Sequence, residues 1–163
     1  MPTALTVETG TQSTTANSYI TQADYNTYIN DRHIARAASA PTTNDQISYI
    51  HQAMSYFEAL PFRGNKASEE QALQFPRHDL TIDGYGIDSD EIPDEVKTAL
   101  YELAYAYEQG YGLDAPIERS ALKEKIGEIE VEYKSSSADR VLTPAATRAL
   151  RKLVKNPMRV VRA

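Results

Sequence analysis

Three histidines, a run of carboxylates and 11 tyrosines are the residues of this chain with chemistry to offer. His33, His51 and His78 stand singly, with no partner at the i, i+4 spacing that sets two imidazoles on one helix face for a metal. Cysteine is absent, so thiolate nucleophiles and cysteine zinc sites are excluded. No Gly-x-Ser-x-Gly elbow and no Gly-x-x-x-x-Gly-Lys phosphate loop occurs. Gly84-Tyr85-Gly86 lacks the third glycine and the strand-then-helix setting of a dinucleotide fingerprint, and reads as a turn. Asp83, Asp88, Asp90, Glu91, Asp94 and Glu95 lack the alternating register that a calcium loop needs, and read as a solvated acidic loop leading into a helix. The chain is therefore expected not to be an enzyme and to carry neither cofactor nor metal.

The tyrosines suit contact better than catalysis. Tyr101, Tyr105, Tyr107 and Tyr111 crowd one segment, where they could stack single-stranded bases or bury area against a protein. Stacking needs cations beside the rings. Here Glu102 and Glu108 share the segment, and no basic residue falls between Lys97 and Arg119. Protein contact is the expected use, because tyrosine supplies large amphipathic area at low entropic cost.

Charge is divided along the chain. All 23 acidic residues lie at or before Asp139, so residues 1–139 carry −13; residues 140–163 carry +7, and the chain −6. The acidic part repels a phosphate backbone, while the basic end is drawn to an anionic surface, protein or nucleic acid. At 163 residues, with 41% hydrophobic and 25% charged residues, the chain fits one soluble domain with its own core. No apolar run is long enough to span a membrane, and Met1-Pro2-Thr3-Ala4 does not open a signal peptide. A cytosolic site of synthesis is the expectation.

The elements that must position these residues are mainly helical. Residues 1–18, with the alternating Leu5-Thr6-Val7, read as an extended arm. Thr21 caps a first helix of about ten residues through Tyr25, Tyr28 and Ile29. Thr43 or Asn44 caps a second that runs to about Leu60, with Ile47, Ile50, Met54, Phe57 and Leu60 as its core stripe. Residues 61–92 form a long connection, functional or mobile, with a short helix expected over Ser68 to Leu73. Ile92-Pro93-Asp94-Glu95 opens a third helix with the stripe Val96, Leu100, Leu103 and Tyr107, stopped at Gly110 and Gly112. Residues 126–133 alternate apolar and acidic as a half-exposed strand, with Glu128, Glu130 and Glu132 on one face. Ser135-Ser136-Ser137 reads as a flexible joint. Thr143-Pro144 starts a last helix with Ala146, Leu150, Leu153 and Val154 on its apolar side, and Asn156-Pro157 ends it. The expected fold is a mainly α small helical bundle with a β-strand or hairpin inserted before the C-terminal helix and an extended basic arm. Residues 1–139 would form the helical domain, and 140–163 the basic helix and tail.

Four spaced segments resemble a known family. Val7-Glu8-Thr9-Gly10 with Ala16-Asn17-Ser18-Tyr19-Ile20, Ala23-Asp24-Tyr25 and Tyr28 matches its opening pattern. Phe62-Arg63-Gly64 with Gln71-Ala72-Leu73-Gln74-Phe75-Pro76-Arg77 is similar to its loop, with Phe75 where the pattern usually has tryptophan. Ile92-Pro93 with Val96-Lys97, Ala99 and Glu102-Leu103-Ala104 follows its third motif, and residues 126–133 its strand. The likeness covers residues 5–133 and is to the tailed-phage head–tail connector proteins, also called adaptor or head-completion proteins. Members are often labelled DnaT-like single-stranded-DNA-binding proteins.

That resemblance implies a virion protein made in the host bacterial cytoplasm and placed in the neck. It implies a homo-oligomeric ring, commonly of about twelve copies, between the portal protein and a tail or stopper protein. DNA would pass through the channel without specific binding, which an acidic body suits. A ring needs two different faces on each subunit. Phe62, Arg63, Phe75, Arg77, Tyr85, Tyr101, Tyr105 and Tyr111 are the expected subunit-interface residues, and Arg148, Arg151, Lys152, Lys155, Arg159 and Arg162 the expected portal contacts. A single-stranded-DNA-binding protein is the alternative.

Overall fold

A computed structural model describes residues 2–32, 41–111, 113, 123–126, 129–132 and 143–155. Among these, four helices and three two-stranded antiparallel ladders form. Three of the four helices begin where a side chain can satisfy their first amides. Thr21 accepts from the Asp24 amide at 3.0 Å, starting α1 (Gln22–Arg32). α2 (Thr43–Glu58) is capped by Thr42 rather than by Thr43 or Asn44. The physical reason is Asp45, which sits three residues beyond Thr42 and returns a hydrogen bond to its amide, closing a capping box. α3 (Asp94–Glu108) follows Pro93 with two acids in its first turn, and Gly110, at φ +83°, turns the chain beyond it. α4 (Pro144–Leu153) is capped by Thr143, whose hydroxyl accepts from Ala146 N at 3.1 Å.

α3 packs against α1, α2 and α4. Its stripe Val96, Leu100, Leu103 and Tyr107 is buried together with Ile50, Met54 and Phe57 of α2 and Leu150 and Leu153 of α4. The expected stripes therefore face one core. Ile47 and Leu60 stand at its margin, half-buried.

Residues 61–92 are neither helical nor loose. β1 (Asn65–Lys66) pairs with β2 (Arg77–His78), and β3 (Thr81–Ile82) with β4 (Tyr85–Gly86). Phe62, Leu73, Phe75, Leu80 and Ile82 bury into the core, so the connection is held by its own apolar side chains. The helix expected over Ser68 to Leu73 does not form. Gln71 accepts from Ser68 N and donates to the carbonyls of Leu73 and Pro76, bonds that offer the main chain an alternative to a helical turn.

The strand or hairpin expected before the C-terminal helix is a hairpin, β5 (Lys123–Ile126) and β6 (Ile129–Glu132), the second strand lying within residues 126–133. Its register sets Lys123 opposite Glu132 and Lys125 opposite Glu130. Glu128, Tyr133, Ser135 to Ser137, Gly112, His33 and the arm Asn156 to Ala163, which carries Arg159 and Arg162, lie outside the described residues.

Candidate functional site

The family-like motifs converge on structure before they offer a surface. Arg77 is buried at 7% exposure, and its guanidinium makes four hydrogen bonds. Nε donates to Arg63 O at 2.7 Å, Nη2 to Gly64 O at 2.8 Å, and Nη1 to Gln74 O at 3.0 Å and Gln74 Oε1 at 2.8 Å. The cation also lies 6.0 Å and 5.8 Å from the ring centres of Phe62 and Phe75. A planar fork with five donors is the side chain that can tie three main-chain carbonyls at once. Burial lowers the pKa of Arg77 from its ordinary value, and the charges of Tyr19 and Glu58 oppose that shift.

Beside this clip, Tyr19 donates to Glu58 Oε1 at 2.8 Å and accepts from Phe75 N at 2.9 Å, while Glu58 Oε2 accepts from Gln74 N at 2.8 Å. Burial raises the Glu58 carboxyl above its ordinary range. Burial, then the Glu58 charge, raises the Tyr19 phenol as well. Two further tyrosine–glutamate bonds tie α1 to α3: Tyr25 to Glu108 at 2.6 Å and Tyr28 to Glu102 at 2.9 Å. Glu102 is buried and also accepts from Thr143 at 2.6 Å, which brings the start of α4 into the same network. Glu58 does not stand out in the sequence, because its partners Tyr19 and Gln74 lie 39 and 16 residues away.

The N-terminal motif is likewise a lock. Glu8 is buried, and its carboxylate accepts from the amides of Gly10, Gln12 and Ser13 at 2.7, 3.2 and 2.6 Å. Gly10 has φ +106°, and a Cβ there would sit 1.8 Å from Asp90 O. Only glycine allows this approach, which seats the arm against the acidic loop.

That seat forms one wall of a cleft of about 760 Å³, lined by Asp24, Asp90, Glu91, Asp94, Lys97 and Tyr101 among others. Asp24, Asp90, Glu91 and Asp94 are exposed, and the single cation of the lining, Lys97, bonds Asp94 at 3.3 Å. Tyr101 stacks on Tyr28 with centroids 4.5 Å apart, and burial pushes its phenol up to about 12. Among the described residues no group of three His, Asp or Glu side chains could hold a metal ion.

The cations lie elsewhere. Arg148, Arg151 and Lys155 are exposed on and just past α4, while Lys152 turns inward to Asp83 at 2.6 Å and Glu95 at 3.2 Å. The hydrogen bond to Asp83, then that to Glu95, raises the Lys152 pKa. Beneath them the chain is stitched to residues 61–63: Arg63 N donates to Leu153 O and Lys155 N to Pro61 O, both at 2.8 Å.

The expected interface residues divide accordingly. Phe62 and Phe75 are core residues and Arg77 is a buried clip, so these three are corrected from contact to framework, their apolar area and donors being taken up inside. Arg63 is exposed but gives Nε to Val154 O at 3.0 Å. Tyr101 and Tyr105 are half-buried against the core. Among the described residues, Tyr85 and Tyr111, 78% and 46% exposed, are the large hydrophobic side chains left on the surface. Of the histidines, His51 meets Thr3 O at 2.9 Å, and His78 lies exposed in β2. No helix among the described residues is long and apolar enough to cross a membrane.

Comparison with known proteins gives one match. The family model described as "Putative DnaT-like ssDNA binding protein" matches residues 3–163. No curated protein and no solved structure matches.

Proposed function

The chain belongs to this DnaT-like family, and from that premise we propose that it is a structural subunit of a tailed-phage neck, a head–tail adaptor. In this reading it performs no catalysis and assembles as a ring of about twelve copies between the portal and a tail or stopper protein, with DNA passing through the channel. The observation that carries the proposal is the separation of charge in the folded unit. Its large cleft is rimmed by Asp24, Asp90, Glu91 and Asp94, and its exposed cations gather on α4 ahead of a basic tail. A carboxylate-rimmed cleft repels phosphates and suits a protein partner. The tail bearing Arg159 and Arg162 is the segment that would dock an acidic groove of the portal.

Electron microscopy of the intact neck, with mass spectrometry of purified virions, tests this reading. A ring of this chain at the head–tail junction is the expected result, and its absence from virions would refute it.

One observation favours binding of single-stranded DNA instead. Tyr85, exposed on the β3–β4 hairpin, lies beyond Asp83, which is bonded to Lys152 of the cationic helix. An aromatic ring near exposed arginines is the combination that stacks and neutralises a strand. Oligonucleotide titrations at two salt concentrations separate the readings, because phosphate contacts weaken steeply with salt.

A further inference from the structure

The apolar side of α4 is spent on the core, through Ala146, Ala149, Leu150 and Leu153. Its outer side presents Arg148 and Arg151, three residues apart and so neighbours along the helix, and Lys155 is exposed just past its end. Among the described residues no carboxylate lies within salt-bridge distance of Arg148 or Arg151, whereas Lys152 one position away holds two. Like charges so spaced repel one another, and the carboxylates that share a groove with Arg148, Asp94 and Glu95, are already bonded by Lys97 and Lys152.

The complementary surface is also present. Asp24, Asp90, Glu91 and Asp94 rim the large cleft, and only Asp94 has a cation, Lys97, at hand. Both surfaces are fixed before any partner arrives. The cleft wall is held by the Glu8 turn and by Gly10 against Asp90. α4 is held by main-chain bonds from Arg63 and Lys155. Asp94 lines both the cleft and the groove beside Arg148, so the two patches adjoin across the start of α3. With α4 fixed in place, its outer side cannot turn over into the cleft of its own chain.

We propose that the exposed cations Arg148, Arg151 and Lys155 of one copy dock into the Asp24–Asp90–Glu91–Asp94 cleft of a second copy of this chain. The inference rests on the ring reading above and names the two faces through which neighbours meet. The contact is heterologous, a helix face on one side and a cleft on the other, which is what a ring requires. Fixed charges facing fixed charges lose little freedom on binding, and they set the register of the two subunits.

The test is a charge swap in the full-length chain. R148E/R151E makes the helix face acidic, and D90K/E91K makes the cleft basic; all four side chains are exposed, so both variants should melt with the wild type. Sedimentation velocity at up to about millimolar protein, in low and high salt, reads association. The wild type should associate in low salt and dissociate in high salt. Each variant alone should associate about tenfold more weakly or worse. An equal mixture of the two should regain wild-type association, because each variant then meets the opposite charge on the other.

A wild type that stays monomeric in low salt overturns the contact, as does a mixture that fails to recover. If R148E/R151E abolishes oligonucleotide binding and leaves association unchanged, the face belongs to nucleic acid and the contact is again overturned. Failure of the ring reading is recognised separately. Swap-rescued association by a chain absent from virions keeps the contact and removes the adaptor. A neck ring whose neighbours meet through other faces does the reverse.

Discussion

Replacing Arg77 by methionine keeps the length and apolar stem of the side chain and removes its guanidinium. The loss withdraws a donor from the carbonyls of Arg63, Gly64 and Gln74 and from the Gln74 side chain. A hydrogen bond from a charged group contributes about 1.5–3 kcal/mol. Four summed singly would overshoot, because one group makes them all and its own desolvation is relieved when it leaves. The expected loss is about 3–5 kcal/mol, the range for breaking a buried charge network. At this chain length that is a fall of about 6–20 °C in Tm. Arg63→Met is the control: Arg63 is exposed and its side chain makes one bond, to Val154 O, so about 1 kcal/mol is expected. Urea unfolding followed by circular dichroism measures both, through the midpoint at constant slope. A loss under about 1 kcal/mol for Arg77→Met would refute the argument that this motif is a structural clip.

Gly10→Ala should cost several kcal/mol, about 3 or more, because its Cβ would strike the Asp90 carbonyl at 1.8 Å; a variant melting within a degree or two of the wild type contradicts the lock. Glu58→Gln tests the raised carboxyl. A folded pKa above the ordinary 4.5 means that the folded state holds the proton longer, so this group's stabilisation is present below pH 4.5 and fades as pH rises. The stability advantage of the wild type over Glu58→Gln should therefore shrink on going from pH 4.5 upward, and a gap that widens would reverse the sign. Truncation after Asn156 removes Arg159 and Arg162 but none of the described core residues, so the chain should melt unchanged while losing portal binding in a pull-down; retained binding would move the docking site elsewhere.

Periodicity was enough to place the four helices, because a stripe stepping by three and four has one physical reading when it runs over several turns. Thr42 was passed over as a cap because Thr43 and Asn44 are equally able caps; Asp45 decides between them only once the reciprocal bond is seen. Residues 61–92 were legible as a long connection but not as framework. Phe62 and Phe75 have no periodic neighbours, and the bonds of Arg77 go to carbonyls, which no sequence pattern displays. Tyr19, Tyr25 and Tyr28 bond glutamates 39, 83 and 74 residues away, pairings that no local pattern displays. Charge needed least structure: the acidic cleft and the exposed cations of α4 follow the division seen along the chain, since most charged side chains stay at the surface, with Glu8, Arg77 and Glu102 buried only where hydrogen bonds satisfy them.

The central claim is that this folded unit grips proteins rather than polynucleotide. Fluorescence anisotropy of a labelled single-stranded oligonucleotide, titrated with the full-length chain near physiological salt, tests it most directly. The account predicts binding no tighter than the non-specific range, a Kd of about 10⁻⁶ M or weaker. A Kd below about 10⁻⁷ M that weakens steeply as salt is raised would contradict it.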